Sequence, residues 1–186
     1  MPAALMPREE VVDRLMAVFR TYGYDGASLA ELSKATGLGR SSLYHYFPGG
    51  KEDMARGVLD RIDAWLADTA LAPLRGKGTP RKRLEAMLAA LDAFYVGGSE
   101  RCLLGNLVLG GSRERFQARL QGTFSTWIDA LAALAVEAGV SRKAARERAE
   151  DAVLQVQGAL ILAGGLDDPA PFRRVLRRIP DLLLAA

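Results

Sequence analysis

The chain has 186 residues, 49% hydrophobic and 25% charged, a balance that fits a packed core and argues against disorder. A single cysteine, Cys102, excludes an internal disulfide scaffold, and the longest uncharged stretch, 15 residues from Ala152 to Leu166, is too short for a membrane span and contains Gln155 and Gln157. The formal charge of +3 is uneven: residues 1–50 set Arg8, Arg14, Arg20, Lys34 and Arg40 against Glu9, Glu10, Asp13, Asp25 and Glu31, so any nucleic-acid contact has to rest on a small site and not on bulk charge.

The opening residues show no basic region followed by an apolar run, so no secretory signal is expected and a reducing, cytoplasmic setting is. No alternating run long enough for a strand occurs, whereas helical spacing recurs from end to end. Val12, Leu15, Phe19 and Tyr22 share one helix face, and Gly23 is expected to stop that helix. Ser28 is an N-cap with Glu31 in capping-box position, and Leu29 and Leu32 are the buried contacts of a short helix ended by Gly37. Arg40 to Phe47 makes another short helix, closed by Pro48-Gly49-Gly50.

A longer helix is expected from Lys51 to Leu71, and Pro73, Gly76, Gly78 and Pro80 then mark the clearest linker. Leu84, Leu88, Leu91 and Tyr95 form the next stripe, followed by a short segment from Cys102 to Leu109. Phe116, Leu120, Phe124, Trp127, Leu131 and Leu134 keep a helical period, as do Ala149, Val153, Gln157, Leu160 and Ile161 after Ser141. The last helix runs from Pro169 through Phe172, Val175, Ile179 and Leu183, with Pro180 expected to kink it or end it early. The fold class is all-α, with about nine helices: a three-helix headpiece over residues 1–50 and a larger body over 51–186.

Ser28 to Phe47 meets the requirements of a helix-turn-helix: a capped short helix, a glycine-containing turn and a second short helix. Leu29, Leu32, Leu38 and Leu43 face a preceding helix, which leaves Arg40, Ser41, Ser42, Tyr44 and His45 on an outer face. In a DNA major groove one guanidinium reads guanine O6 and N7, and serines donate to base edges or phosphates. Two short helices around a glycine also occur in many helical proteins, so a helical interaction module that binds no DNA is the alternative.

The run SLAELSKATGLGRSSLYHYF (28–47), followed by Pro-Gly-Gly-Lys-Glu, resembles the DNA-binding headpiece of the TetR family of bacterial transcriptional repressors. Cys102-Leu-Leu-Gly-Asn106 and the Pro-Gly-Gly-Lys turn resemble the branch containing the LmrA and YxaF repressors. The resemblance implies a recognition helix exposed over Arg40 to His45, with Ser28, Tyr44, Tyr46 and Lys51 at positions near the DNA backbone. Gly39 departs from the bulkier or polar residue of many relatives. The resemblance also implies a homodimer built from the last two helices, a double-stranded operator as partner, and a small hydrophobic effector whose binding relieves repression.

In the body, Trp65, Phe94, Phe116, Phe124 and Trp127 offer large apolar surfaces, either as plain core or as the lining of an effector pocket. Gln157 lies on an apolar stripe and needs a partner, which a ligand, a water or a symmetry mate supplies; Asn106 poses the same question. Gly158, Ala159 and Ala163 allow a close helix approach, either as a dimer seam with Phe172, Val175 and Ile179 or as packing inside one subunit. Cys102 beside Arg101 reads as a redox sensor or as a small buried hydrophobe. His45 has no Cys, Asp or second His at ligand spacing, so no metal is expected, and no cofactor. Enzyme activity is not expected: there is no nucleotide loop, and Asp92, the best lone acid of the body, has no catalytic partner.

Overall fold

The computed structural model describes residues 6–185; the first residues read for a secretory signal lie outside that range. Nine α-helices and no strand occur among the described residues: α1 (Arg8–Gly26), α2 (Leu29–Thr36), α3 (Arg40–Tyr46), α4 (Lys51–Trp65), α5 (Pro80–Phe94), α6 (Leu103–Leu109), α7 (Arg113–Glu137), α8 (Arg142–Leu166) and α9 (Ala170–Leu184). The chain is all-α, as its periodicity implies. No described helix is long and apolar enough to cross a membrane.

Local departures have physical causes. Gly23 interrupts α1 as expected: at φ 66 and ψ −178 it leaves helical geometry, and a short further stretch runs on to Gly26. The helix expected to reach Leu71 keeps α geometry to Trp65 and then widens into a π-helical turn over Leu66–Ala70. Pro180 lies inside α9, which continues past it to Leu184.

Two compact units share the described chain. One holds the residues up to Asp63 together with Leu103–Phe116; the other holds Ala64–Cys102 and the residues from Gln117 onward. The boundaries fall within α4 and within α7, so each of these helices contributes to both units.

In the first unit Leu15 and Phe19 of α1, Leu32 of α2, Leu43 of α3, Phe47 and Met54 are fully buried. Three tertiary links bring α6 and the start of α7 into this unit. Asn106 donates to the Arg20 carbonyl at 2.8 Å, Asp25 accepts from the Ser112 amide at 3.2 Å, and Arg115 pairs with Glu52. Phe116, 2% exposed, lies edge-on to Tyr24 at 5.2 Å.

The second unit is built from α5, most of α7, and the closely packed α8 and α9. Leu84, Met87, Leu91, Trp127, Leu131, Val156, Phe172 and Ile179 are all buried there. Gly98 takes φ 99, and a Cβ at that position would come within 2.8 Å of the Phe172 Cβ, so only glycine fits the turn after α5. Cys102 is buried 3.4 Å from the Tyr95 hydroxyl, the surroundings of a small core residue.

Arg83 belongs by sequence to a basic run, yet its side chain is 8% exposed. Its Nη1 donates to the Leu74 carbonyl at 2.9 Å, which pins the segment read as a linker, and its Nη2 pairs with Glu137. The substitution Arg83→Leu removes these bonds and leaves a buried carbonyl unpaired, and the expected loss is about 2–3 kcal/mol in urea unfolding. The guanidinium beside Glu137 holds that carboxyl below the usual range. The pair therefore stabilises above the ordinary glutamate range, and its contribution fades as the pH falls through the lowered value. In the Arg83→Leu variant that acid-side dependence is expected to weaken.

Candidate nucleic-acid interface

The helix-turn-helix is fixed by capping and by one long cation. Ser28 Oγ accepts from the Glu31 amide at 3.2 Å while the Glu31 carboxylate accepts from the Ser28 amide at 3.0 Å, a complete capping box. Gly37 closes α2 in the left-handed conformation at φ 72, and its amide donates to the Ser33 carbonyl. Arg14 of α1 donates to the Thr36 carbonyl at 3.1 Å, tying the end of α2 to the first helix. Leu43, fully buried, anchors α3 by its inner face. Gly50 takes φ 69 with the Tyr44 ring 3.4 Å from where a Cβ would sit, so the turn into α4 is closed against α3 itself.

The outer face of α3 then presents Arg40, Ser41, Ser42, Tyr44 and His45, all exposed. Among the described residues Arg40, Ser41, Ser42 and Tyr44 make no hydrogen bond or ion pair, while His45 lies edge-on to Tyr46. The flanking residues that the resemblance implies are otherwise engaged. The Tyr46 hydroxyl donates to the Met6 carbonyl at 2.6 Å. Lys51 Nζ donates to the Ala27 carbonyl at 3.0 Å and sits 4.6 Å from the Tyr24 ring centroid. The Ser28 hydroxyl belongs to the capping box.

Four of the five acids of the headpiece segment, Glu9 being the exception, are engaged in hydrogen bonds or ion pairs by other groups of the chain. Glu10 pairs with Arg14 at 2.6 Å, Asp13 with Arg61 at 3.0 Å, Asp25 accepts from Ser112, and Glu31 caps α2. Glu52 of α4 is held below the usual carboxylate range by hydrogen bonds from Arg56 and Arg115. Three exposed cations, Arg8 of α1, Lys34 of α2 and Arg40 of α3, are left without a hydrogen bond or ion pair among the described residues, and Arg8 lies over the Phe47 ring at 5.0 Å. The sequence pattern does not single out Lys34; its exposure at the last turn of a supporting helix is a tertiary fact.

The seven candidate effector residues are divided between the two compact units. Asn106 and Phe116 belong to the first compact unit, and Asn106 already has the Arg20 carbonyl as partner. In the second unit Trp65 and Phe94 stack on each other at 3.8 Å, both half-buried, and Phe124 is half-buried on α7. Trp127, 2% exposed, lines an apolar void with Leu88, Leu91, Leu131 and Val156, and its indole nitrogen has no partner. The Gln157 amide nitrogen is likewise buried without a partner.

Of the residues expected at a dimer seam, Ala159, Ala163, Phe172 and Ile179 are buried within the single chain, and Val175 is half-buried. Close packing inside one subunit accounts for the four buried residues. Gly158 is exposed, with nothing within 4 Å of a Cβ. The uncovered apolar residues of α8 are instead Leu154, Ile161, Leu162 and Leu166.

Residues 11–58 match the model for bacterial regulatory proteins of the tetR family, and residues 80–178 match the model for the C-terminal domain of LmrA/YxaF-like transcriptional regulators. The HTH-type transcriptional regulator LmrA of Bacillus subtilis (strain 168) is 23% identical over 180 residues, 95% of this chain and 96% of that protein. A crystal structure of a regulatory protein TetR from Rhodobacter sphaeroides superposes with a TM-score of 0.79 at 24% identity, covering 94% of this chain and 97% of that one. The regulator CifR, solved as a cysteine mutant complexed with 26bp double-strand operator DNA, superposes with a TM-score of 0.76 at 22% identity, covering 97% and 98%.

Proposed function

The chain belongs to the TetR family of bacterial regulatory proteins, with a C-terminal domain of the LmrA/YxaF-like type, and we propose that within it the protein is a ligand-responsive repressor that binds a palindromic operator as a homodimer. Members of this family are transcriptional regulators and not enzymes. Residues 1–50 supply the DNA-binding function; residues 51–186 supply effector binding and dimerisation. The observation that supports this reading best is α3 itself, seven residues long, with Leu43 fully buried and Arg40, Ser41, Ser42 and Tyr44 exposed and unbonded on the other side.

In the proposed complex α3 enters the major groove, Arg40 reads a guanine, and Ser41, Ser42, Tyr44 and His45 bond to base edges and phosphates. Ser28, Tyr46 and Lys51 flank the duplex and hold the frame of the headpiece; Lys51 reaches a phosphate only with the donors that Ala27 leaves over. The exposed apolar face of α8, with Gly158 at its centre, meets its symmetry mate, which places two recognition helices on one duplex. A small hydrophobic effector acts on the second unit, around Trp127 and Gln157, with Trp65, Phe94 and Phe124 as further apolar surfaces. It relieves repression only to the extent that it prefers the arrangement that does not fit the operator.

Selection from random duplexes with the purified protein tests the reading. A two-fold symmetric consensus, with half-sites about 10 base pairs or a multiple apart, is expected. Enrichment of no sequence, or of a single unrepeated half-site, overturns the proposal of a dimeric operator-binding repressor.

A further inference from the structure

The second unit contains two spaces that share a wall. The first is an open groove of about 610 Å³ between α5 and α9, with Leu88 and Leu176 in its lining. The second is the interior void beside Trp127, which has no room for a water molecule. Leu88 lines both. Trp127 lines the void, and its buried indole N–H has no protein acceptor, so this part of the core carries an unmet polar group.

The groove carries a definite charge pattern. Arg81 pairs with Asp181 at 2.6 Å toward one end, and Arg173 donates to the Gly97 carbonyl at 3.2 Å toward the other, so α5 and α9 run antiparallel. Between these latches α5 contributes Glu85 and Asp92, and α9 contributes Arg173 and Arg177. Among the described residues neither Asp92 nor Arg177 has a hydrogen bond or an ion pair. One wall is thus acidic and the other basic. A purely anionic ligand meets the carboxylates of α5, and a purely cationic one meets the guanidiniums of α9; a zwitterion satisfies both walls at once.

We propose that the α5–α9 groove is an effector vestibule for a zwitterion with an apolar tail, the chemistry of a long-chain α-amino acid. Its carboxylate lies on Arg177 and Arg173 and its ammonium on Asp92. The tail displaces Leu88, which opens the space behind it, and packs its hydrocarbon against the Trp127 ring. The head group fixes orientation at the surface, and the tail acts on the core of the unit.

This inference rests on the reading of the protein as effector-controlled, and its test is done without DNA, so that the two fail separately. Calorimetric titration of the full chain uses three probes of equal tail length: 2-aminodecanoate, decanoate and decylamine. The zwitterion is expected to bind at least about ten-fold more tightly than either singly charged probe, a difference of about 1.4 kcal/mol. Asp92→Asn and Arg177→Gln, both at the groove surface, are each expected to remove that preference. 2-Aminodecanoate is expected to shift the indole emission of the parent chain, and that shift is expected to be lost in Trp127→Phe, which keeps Trp65. Equal affinity for the three probes, no binding of any, or a preference that survives both charge substitutions overturns the vestibule. A preserved preference with unchanged Trp127 emission overturns entry of the tail. None of these outcomes bears on operator selection, which stands or falls by the recognition helix.

Discussion

Ile161→Arg is expected to leave a folded protein that no longer dimerises and that binds its operator about 10²–10⁴-fold more weakly. Ile161 is 59% exposed in the single chain, as are Leu154 at 70%, Leu162 at 48% and Leu166 at 59%, all on α8. Positions 154, 158, 161–162 and 165–166 recur at helical spacing, and at Gly158 and Gly165 a Cβ would meet nothing within 4 Å. An exposed apolar face of this kind marks a contact surface. In a two-fold interface each residue counts twice, and burying an isoleucine is worth about 1.5–3 kcal/mol, so the exchange removes about 3–6 kcal/mol before the added charges are considered. A monomer holds one half-site and loses the effective concentration that the second headpiece supplies. Sedimentation measures the association and fluorescence anisotropy the affinity. Dimers as tight as those of the parent place the interface elsewhere.

The choice of position matters. Ala163 lies on the small-residue run that the sequence offers as a seam, but it is 3% exposed within one chain. Arginine at that position overpacks the core and unfolds the body, so loss of the dimer there carries no information about the interface. The two faces of α8 are both apolar, and both contain small residues. A period of 3.6 shows that a stripe exists; it does not say which stripe α9 of the same chain covers.

The same limit runs through the site. The helix-turn-helix is legible because its determinants are local: Ser28 and Glu31 are three residues apart, Gly37 needs a positive φ, and Leu43 is the apolar position of a short polar helix. What escapes depends on partners distant in sequence. Lys51 finds the carbonyl of Ala27, Tyr46 that of Met6, and Asn106 that of Arg20. Each of these polar side chains reads as available until the fold supplies an acceptor. Arg83 is the converse case, a member of a charged run that the fold buries against Leu74 and Glu137. Residues 103–116 illustrate the point at the level of units: nothing in their composition associates them with the headpiece, yet Asp25 accepts from Ser112.

Arg40→Ala tests the other half of the mechanism. Arg40 begins α3, is exposed, and has no side-chain hydrogen bond or ion pair among the described residues, so the proposed DNA contact would break no bond within the chain. A bidentate contact to guanine is worth about 1–3 kcal/mol, and a dimer makes two, so operator affinity is expected to fall by about 30-fold to 10⁴-fold. Affinity for random duplex is expected to fall far less, because the non-specific complex depends on phosphates. Selection with the Arg40→Ala variant is then expected to relax one base position in each half-site and to keep the others. Arg40→Lys separates charge from geometry: lysine restores most of the non-specific affinity and the salt dependence but not the full base preference, since an ammonium cannot form the paired donor fork. Equal losses on operator and random DNA assign Arg40 to a phosphate. Unchanged binding on both removes it from the interface and shifts the reading to Ser41, Ser42 and Tyr44, the remaining unbonded groups of the same face.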